Sequence, residues 1–484
     1  MKMKRHQIIP IFSLAALLVT MIGCKKSFLD KDPISELTTG NFYRNANDAE
    51  SGLAAAYDAL QQEYYIWDYQ TNSDARSDNS YAGGDNPTNF QIDRFQLTAV
   101  NSNVERDWNM LYNGVMRANA VIDNVPNIED LKWTGNNRKE EIIAEAKFLR
   151  ALHYFNLVRT WGGVPLVLSL NDADVFKPRA GVSEVYAQIE TDLKAAEAVL
   201  PVTFGSEAET RGRATQGGAQ ALLAKVYAQQ KKYAETLEYT NKVITNPNYS
   251  LMPDYDQLFD GNHENNSESI FEIQYNADGE GDWGIQLLTP KILTGDGWIK
   301  FNTPTHDLVN AFRQEGDSIR LQASIIFEWT DAIPAPYTSA EPIPFIYKWR
   351  NPNGWNSPDN VMMMRLADIM LLKAEALNET GQTNPAIDLV NDIRSRVQLP
   401  DVSASTQAAA RELILKERRL ELAFEGERWY DLLRAGNQYI ISVMNSQAYY
   451  GTPLNYNVTE PELLFPIPQK ERNLNRNLEQ NPGY

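Results

Sequence analysis

The chain has 484 residues, 43% of them hydrophobic and 22% charged, with a formal net charge of −18 and a single cysteine, Cys24. A chain of this length buries about three quarters of the surface its unfolded form exposes, so it can build a large core, in two or three domains by length alone, without the disulfides that one cysteine rules out. The acidic excess argues against nucleic acid and against electrostatic docking on an anionic membrane, both of which need basic patches, and the lone cysteine excludes multi-cysteine metal sites.

Residues 1–23 open with Lys2, Lys4 and Arg5, run through an apolar stretch from Ile8 to Ile22 and end at Gly23. A charged start, a short apolar core and a small residue before the cut describe a secretory signal, and the stretch is short for a membrane span. A cysteine directly after the small residue points to a lipoprotein signal, with the Cys24 thiol carrying the lipid and becoming the new N-terminus; Met21 departs from the usual Leu. The signal holds three of the 45 basic side chains and none of the 63 acidic ones, so its removal takes the charge to near −21. Residues 24–46 then read as a lipidated polar tether, with Pro33 and Gly40.

Beyond the tether, Asp48, Ala49, Leu53, Ala56, Tyr57 and Leu60 follow a 3.6-residue period and predict a helix. From 65 to 103 the pattern dissolves into Asn, Asp, Gly and Tyr, which reads as a long functional loop. Helices are predicted over about 104–124, over 138–160, where Gly162-Gly163 and Pro165 stop the pattern, and from Ser183 to Leu200. Two helix pairs follow. The first carries a stripe of Ala221, Ala224 and Ala228, breaks at Lys231-Lys232 and resumes from Tyr233 to Ile244; the second spans about 364–397 with a break at Gly381. Small residues at close-packing positions, two helices and a short turn resemble tetratricopeptide repeats, although about 120 residues separate the pairs. A single helix is predicted from Gln407 to about Leu433. The middle, about 248–362, is rich in Trp, Tyr, Pro, Gly and Asn, with short strands expected at Ile270–Tyr275 and Phe345–Trp349, and the tail from Glu460 to Tyr484 is irregular. The expected architecture is mostly α, with regions 47–250 and 251–484 packed as one body that carries large irregular insertions.

Chemistry-bearing patterns are few. His153, His263 and His306 lack metal-ligand spacing, and no nucleophile elbow or phosphate-cradling loop is present. Asp278, Glu280 and Asp282 alternate as in calcium loops, but Trp283 and Thr289 stand where an EF-hand needs Gly and Glu, so no cofactor is predicted and a structural calcium ion is left open. Glu417, Glu421 and Glu425 share one helical face, the spacing of a retaining glycosidase's acid pair, but Arg418, Arg419 and Arg428 beside them favour an ion-pair network. Among the tryptophans, Trp108, Trp133, Trp161 and Trp429 fall in helical patterns and read as core. Trp67, Trp283, Trp298, Trp329, Trp349 and Trp355 fall in irregular segments, where flat ring faces beside polar side chains suit sugar stacking.

Several blocks carry a resemblance. They are Phe28-Leu-Asp with Pro33, Leu37-Thr, Asn41-Phe-Tyr and Asp48-Ala-Glu; the run AEAKFLRALHYFNLVRTWGGVPL at 144–166; GRAT at 212–215; RLADIMLLKAEALN at 365–378; ERRLELAFEGERWYD at 417–431; LFPIPQ at 464–469; and QNPGY at 480–484. In order and over nearly the whole chain, these blocks resemble the SusD/RagB family of outer-membrane nutrient-binding lipoproteins. The resemblance implies a helical fold on tetratricopeptide-like pairs, no catalysis, and a glycan-binding lid on a SusC-like TonB-dependent transporter at the outer membrane. It places ligand contacts in the loops, here about 65–100 and 275–356. The candidates are Trp67, Tyr81, Trp283, Trp298 and Trp355 for stacking, with Asp78 and Asn79 for hydroxyls. Peptide capture by the same fold, and a glycoside hydrolase using Glu421 and Glu425, remain the alternatives. Lys25-Lys26-Ser27 lacks the acidic residues usual after a surface-exported cysteine, so an outward-facing position rests on the resemblance.

Overall fold

The computed structural model describes residues 42–484; the signal, Cys24 and the tether up to residue 41 lie outside the described residues. The fold is mostly helical, as expected. The scaffold helices are α1 (Ala46–Asp58), α2 (Ser102–Asn124), α3 (Arg138–Trp161), α4 (Val182–Glu197), α5 (Gln216–Gln229), α6 (Tyr233–Ile244), α7 (Leu366–Glu379), α8 (Thr383–Arg396), α9 (Gln407–Glu421) and α10 (Arg428–Ala435). Their starts follow from capping chemistry. Asn45, Asn101, Thr215 and Thr406 each accept backbone N–H groups that the first turn leaves unpaired. Left-handed residues end them where the chain must turn, Lys231 between α5 and α6 and Gly381 between α7 and α8.

The two predicted pairs are α5–α6 and α7–α8, and they stack on each other through α6 and α7 despite their separation in sequence. Ala221, Ala224 and Ala228 are buried on α5, where small side chains let the helices approach closely. Helix α3 packs against α2 and α4 and is buried almost all round from Ala144 to Trp161. One apolar cluster runs from Ala49 to Leu478 and so draws on both halves of the chain.

Three short antiparallel ladders cross the insertions. Strand β1 (Ser80–Ala82) pairs with β3 (Asn302–Pro304), β2 (Ser269–Ile273) with β6 (Val361–Arg365), and β4 (Ile325–Glu328) with β5 (Ile343–Ile346). Between them the middle region also forms helices, including His306–Glu315 and Ser318–Ser324, which the sequence reading did not anticipate.

Two expectations are corrected. The stretch from 65 is not an exposed loop. Tyr64–Asp68 and Thr71–Ala75 wind as π-helix, β1 follows, and every residue from 64 to 83 is buried. Several of its polar side chains find partners in the distant 417–431 segment. Tyr69 donates to Glu427 at 2.8 Å, and the Asp74 carboxylate accepts from the backbone N–H of Phe424 and Gly426 at 3.2 and 3.1 Å. Those bonds also explain the second correction, because α9 ends at Glu421 and α10 starts at Arg428, with Phe424 and Gly426 both left-handed between them. Gly426 has a φ of 78°, and a Cβ there would meet the Tyr69 ring at 2.2 Å. Gly426→Ala is therefore expected to lower the unfolding free energy by more than about 1 kcal/mol, read as a lower urea midpoint at unchanged slope.

Candidate functional site

Three excursions from the scaffold end on one surface, and each is rooted in buried structure. The first lies between the short helix Lys291–Thr294 and β3. Its base is Lys300, a buried cation whose Nζ donates to Gln286 O at 2.9 Å, Thr294 Oγ1 at 3.2 Å and Asp296 Oδ1 at 2.8 Å. Asp296 in turn accepts the Trp298 N–H at 3.1 Å, so a polar knot beneath the loop holds Trp298 outward with Ile292 and Ile299. The second excursion leaves β4, and Trp329 directly follows Glu328; the Glu328 carboxylate accepts the Ile292 N–H at 3.3 Å and ties the two excursions together.

The third is the turn that carries Trp355. Asn353, Gly354 and Trp355 are successively left-handed, with φ of 43°, 61° and 76°. A bulky aromatic residue in that region is a conformational outlier costing about 1–3 kcal/mol, and it persists only where surrounding bonds impose it. Here Asn353 Nδ2 donates to Asn356 O at 3.0 Å, Asn356 Nδ2 donates to Ala277 O, and Asn356 Oδ1 accepts the Gly281 N–H at 3.0 Å. Asp282 and Ser357 then exchange backbone bonds, with the Asp282 N–H at 2.8 Å from Ser357 O.

On the assembled surface the Trp298 and Trp355 rings meet edge-on, with centroids 6.2 Å apart and planes at 78°. Trp298 stays 55% exposed, Trp355 43% and Trp329 66%. Beside them lies a cleft of about 590 Å³, lined by Ile292, Gly295, Gly297, Trp329, Thr330 and Asp331. Exposed ring faces offer apolar planes, and Thr330 and Asp331 offer hydrogen-bonding groups at the rim, so the surface suits a ligand with both apolar and hydroxylated faces.

The other residues singled out from the sequence sit elsewhere. Trp67 is 3% exposed, packed on Phe301 with centroids at 5.7 Å, and its Nε1 donates to Glu63 at 3.1 Å, so no ring face is open. Tyr81 is buried on β1 against Tyr337. Trp283 is half-buried, 6.4 Å from the Trp67 ring. Asp78 is buried and bound by both arms of Arg428 at 2.7 and 2.8 Å; burial alone would raise its carboxyl, but Arg419 and Arg428 bring it down to about 2. Asn79 accepts from Arg419 at 3.0 Å and donates to Asp74 at 3.1 Å. Of the candidates, the structure brings only Trp298 and Trp355 together in the open. Trp329 was among the irregular-region tryptophans but not among the site candidates. Its signal is the polar Thr330-Asp331 that follows it, whereas Trp67 ends the apolar run Tyr64-Tyr65-Ile66 that marks a core segment.

The carboxylate patterns resolve in the same way. Asp278 and Glu280 are exposed, while Asp282 is buried and accepts the Gly284 N–H at 2.7 Å. Among the described residues no three His, Cys, Asp or Glu side chains converge on a metal position. Glu421 is fully buried among Arg365, Arg320 and Arg396. Burial would raise its carboxyl, but Arg396, Arg365 and Arg320 hold it well below the usual carboxylate range. Glu425 is bound by Arg365 and Lys348 and is lowered too.

Residues 322–484 match the SusD family, and residues 27–228 match the family described as starch-binding, associating with outer membrane. The SusD-like protein P38 of Formosa agariphila is 30% identical over 100% of both chains, and the starch-binding protein SusD of Bacteroides thetaiotaomicron is 25% identical over 70% of this chain and 72% of its own. Among solved structures, a laminarin binding SusD-like protein superposes with a TM-score of 0.77 at 28% identity, over 91% of this chain and 100% of its own.

Burial pushes the Asp282 carboxyl, beneath the Trp355 turn, up to about 8. A carboxyl raised on folding binds its proton more tightly in the native state, so its contribution is complete below the unfolded value and is lost as pH rises to about 8. Asp282→Asn is expected to remove that part of the pH dependence. The stability difference between wild type and variant, from denaturant midpoints, should fall from pH 4 to pH 8 and flatten above it.

Proposed function

The chain belongs to the SusD family, and from that premise we propose that it is a non-catalytic, lipid-anchored outer-membrane protein. It captures glycan on the surface of Trp298, Trp355 and Trp329 and delivers it to a SusC-like TonB-dependent transporter. The observation that carries the reading is the meeting of two exposed tryptophans from two distant loops, one of them on a strained backbone, with a third exposed tryptophan, Trp329, lining a cleft that also takes in Gly297, the neighbour of Trp298. Sugar rings present C–H faces that stack on such planes and hydroxyls that the rim satisfies. The names of two relatives, starch-binding and laminarin binding, support a glycan.

The one acidic trio with glycosidase spacing is tied up by buried cations, which supports binding without chemistry. The anchor rests on the charged start, the apolar run and Cys24. No helix among the described residues is long and apolar enough to cross a membrane. The family's association with the outer membrane supports a transporter partner there.

Calorimetric titration against oligosaccharides and peptides tests the ligand. Trp298→Ala and Trp355→Ala are each expected to weaken glycan binding at least tenfold, the scale of an anchoring tryptophan's loss, with unchanged unfolding midpoints. Peptide binding without sugar binding would replace this reading by the peptide alternative. For the anchor, Cys24→Ala should shift the protein from the membrane fraction to the soluble exported fraction while glycan affinity is kept. Retention of that variant at the membrane would transfer the tethering role to a protein contact.

A further inference from the structure

The angle between the two central rings restricts the shape of a glycan that uses both, an inference that rests on the platform reading above. A sugar stacks with its ring plane nearly parallel to the indole. Trp298 and Trp355 stand at 78°, with centroids 6.2 Å apart. Two sugars seated on these two rings therefore have planes at nearly a right angle. The edge-on contact covers at most one face of one ring, and both indoles keep close to half their surface open, so each has a face to offer.

A flat ribbon, in which alternate sugars flip by half a turn, keeps all its ring planes parallel. Such a chain reaches one indole and leaves the other unused. A backbone that turns from one sugar to the next presents successive faces in different directions and engages both.

The angle is built before any ligand arrives. Trp355 is fixed by three successive left-handed residues and by the bonds of Asn353 and Asn356 to their surroundings. Trp298 is fixed by Asp296 and the buried Lys300 beneath it. These bonds fix the two backbones, and the edge-to-face contact of the indoles holds the angle between the rings; pre-organisation of this kind converts shape into selectivity.

Charge narrows the class further. Lys291 is the one basic side chain lining the cleft, and Glu328 and Asp331 line the same cleft. Asp296 is already neutralised by Lys300. A uronate or sulfated chain would bring repeated negative charge to a surface without a basic cluster, on a protein of net charge −18. We infer that this surface selects a neutral glycan whose backbone turns between successive sugars.

The test compares hexasaccharides of equal length on the full mature chain by calorimetry: two turned neutral chains, a laminari- and a malto-oligosaccharide; a flat one, a cello-oligosaccharide; and an anionic one, an oligogalacturonate. At least one turned chain is expected to bind about tenfold or more tighter than both the flat and the anionic chain. Trp298→Ala and Trp355→Ala should each reduce that preference, with unfolding midpoints unchanged. Equal or tighter binding of the flat chain, sensitive to both tryptophans, overturns the shape inference and leaves the platform standing. Tighter binding of the anionic chain overturns the charge part. Binding of no chain, or binding insensitive to either substitution, overturns the platform reading itself.

Discussion

The buried ion pairs of the 417–431 segment are the interaction on which the rest of the structure hangs. Arg428 grips Asp78 with both arms across 350 residues of sequence. Asp78 and Asn79 lead into β1, their carbonyls accept from Thr305 Oγ1 and Thr305 N–H at 2.8 Å each, and β1 pairs with β3 at the foot of the Trp298 loop. Glu425 is held from two sides, by Lys348 just after β5 at 2.5 Å and by Arg365 at the end of β6 at 2.7 Å, and the Trp355 turn lies between those two anchors. Arg320, five residues before β4, binds Glu417 at 2.6 Å and Glu421 at 3.1 Å and so fixes the origin of the Trp329 excursion. One helix end and the loop after it thus set the feet of all three excursions.

Charge suits this task because the excursions have little apolar surface and the chain has no disulfide to register them. An ion pair taken out of water costs several kcal/mol per charge, and its attraction returns that only in good geometry with the remaining lone pairs bonded. A network of this kind adds little net stability over an apolar core of the same volume. Its value lies in what it forbids, since any arrangement that strands one of these groups costs about 3–5 kcal/mol. Asp74 shows the same logic with hydrogen bonds in place of a bound cation. Burial pushes its carboxyl up to about 7, opposed by bonds from Asn79 and from the Gly426 and Phe424 N–H groups, and those bonds shape the reversal between α9 and α10.

What was legible in the sequence follows from whether the cause of a structure is local. The helix pairs could be read because alanine stripes, caps and the Lys231 and Gly381 breaks lie within a few residues of what they cause. The stretch from 65 could not, because polar composition usually means solvent, and here the partners of Asp74, Asp78 and Asn79 lie some 340–352 residues away. The break after Glu421 was hidden likewise, since the pattern of apolar residues continues through Phe424 and only Gly426 hints at the turn. Trp298 and Trp355 were visible as tryptophans among Gly, Asn and Asp, yet their meeting joins two loops whose common footing is set by distant charges.

The same dependence on distant partners decides between the two meanings of the glutamate trio. Spacing on a helix brings Glu421 and Glu425 onto one face, and spacing alone does not separate a catalytic pair from a structural one. A retaining glycosidase needs one carboxyl to hold a proton at working pH, which calls for an apolar or acidic surrounding that raises it. Arg320, Arg365, Arg396 and Lys348 supply the opposite field, and no sugar reaches a side chain that is fully buried like that of Glu421. The cations that remove any use of these acids as proton donors are the ones that hold the tryptophan loops in place. In this chain a chemistry-like motif is therefore consumed in positioning the tryptophan loops.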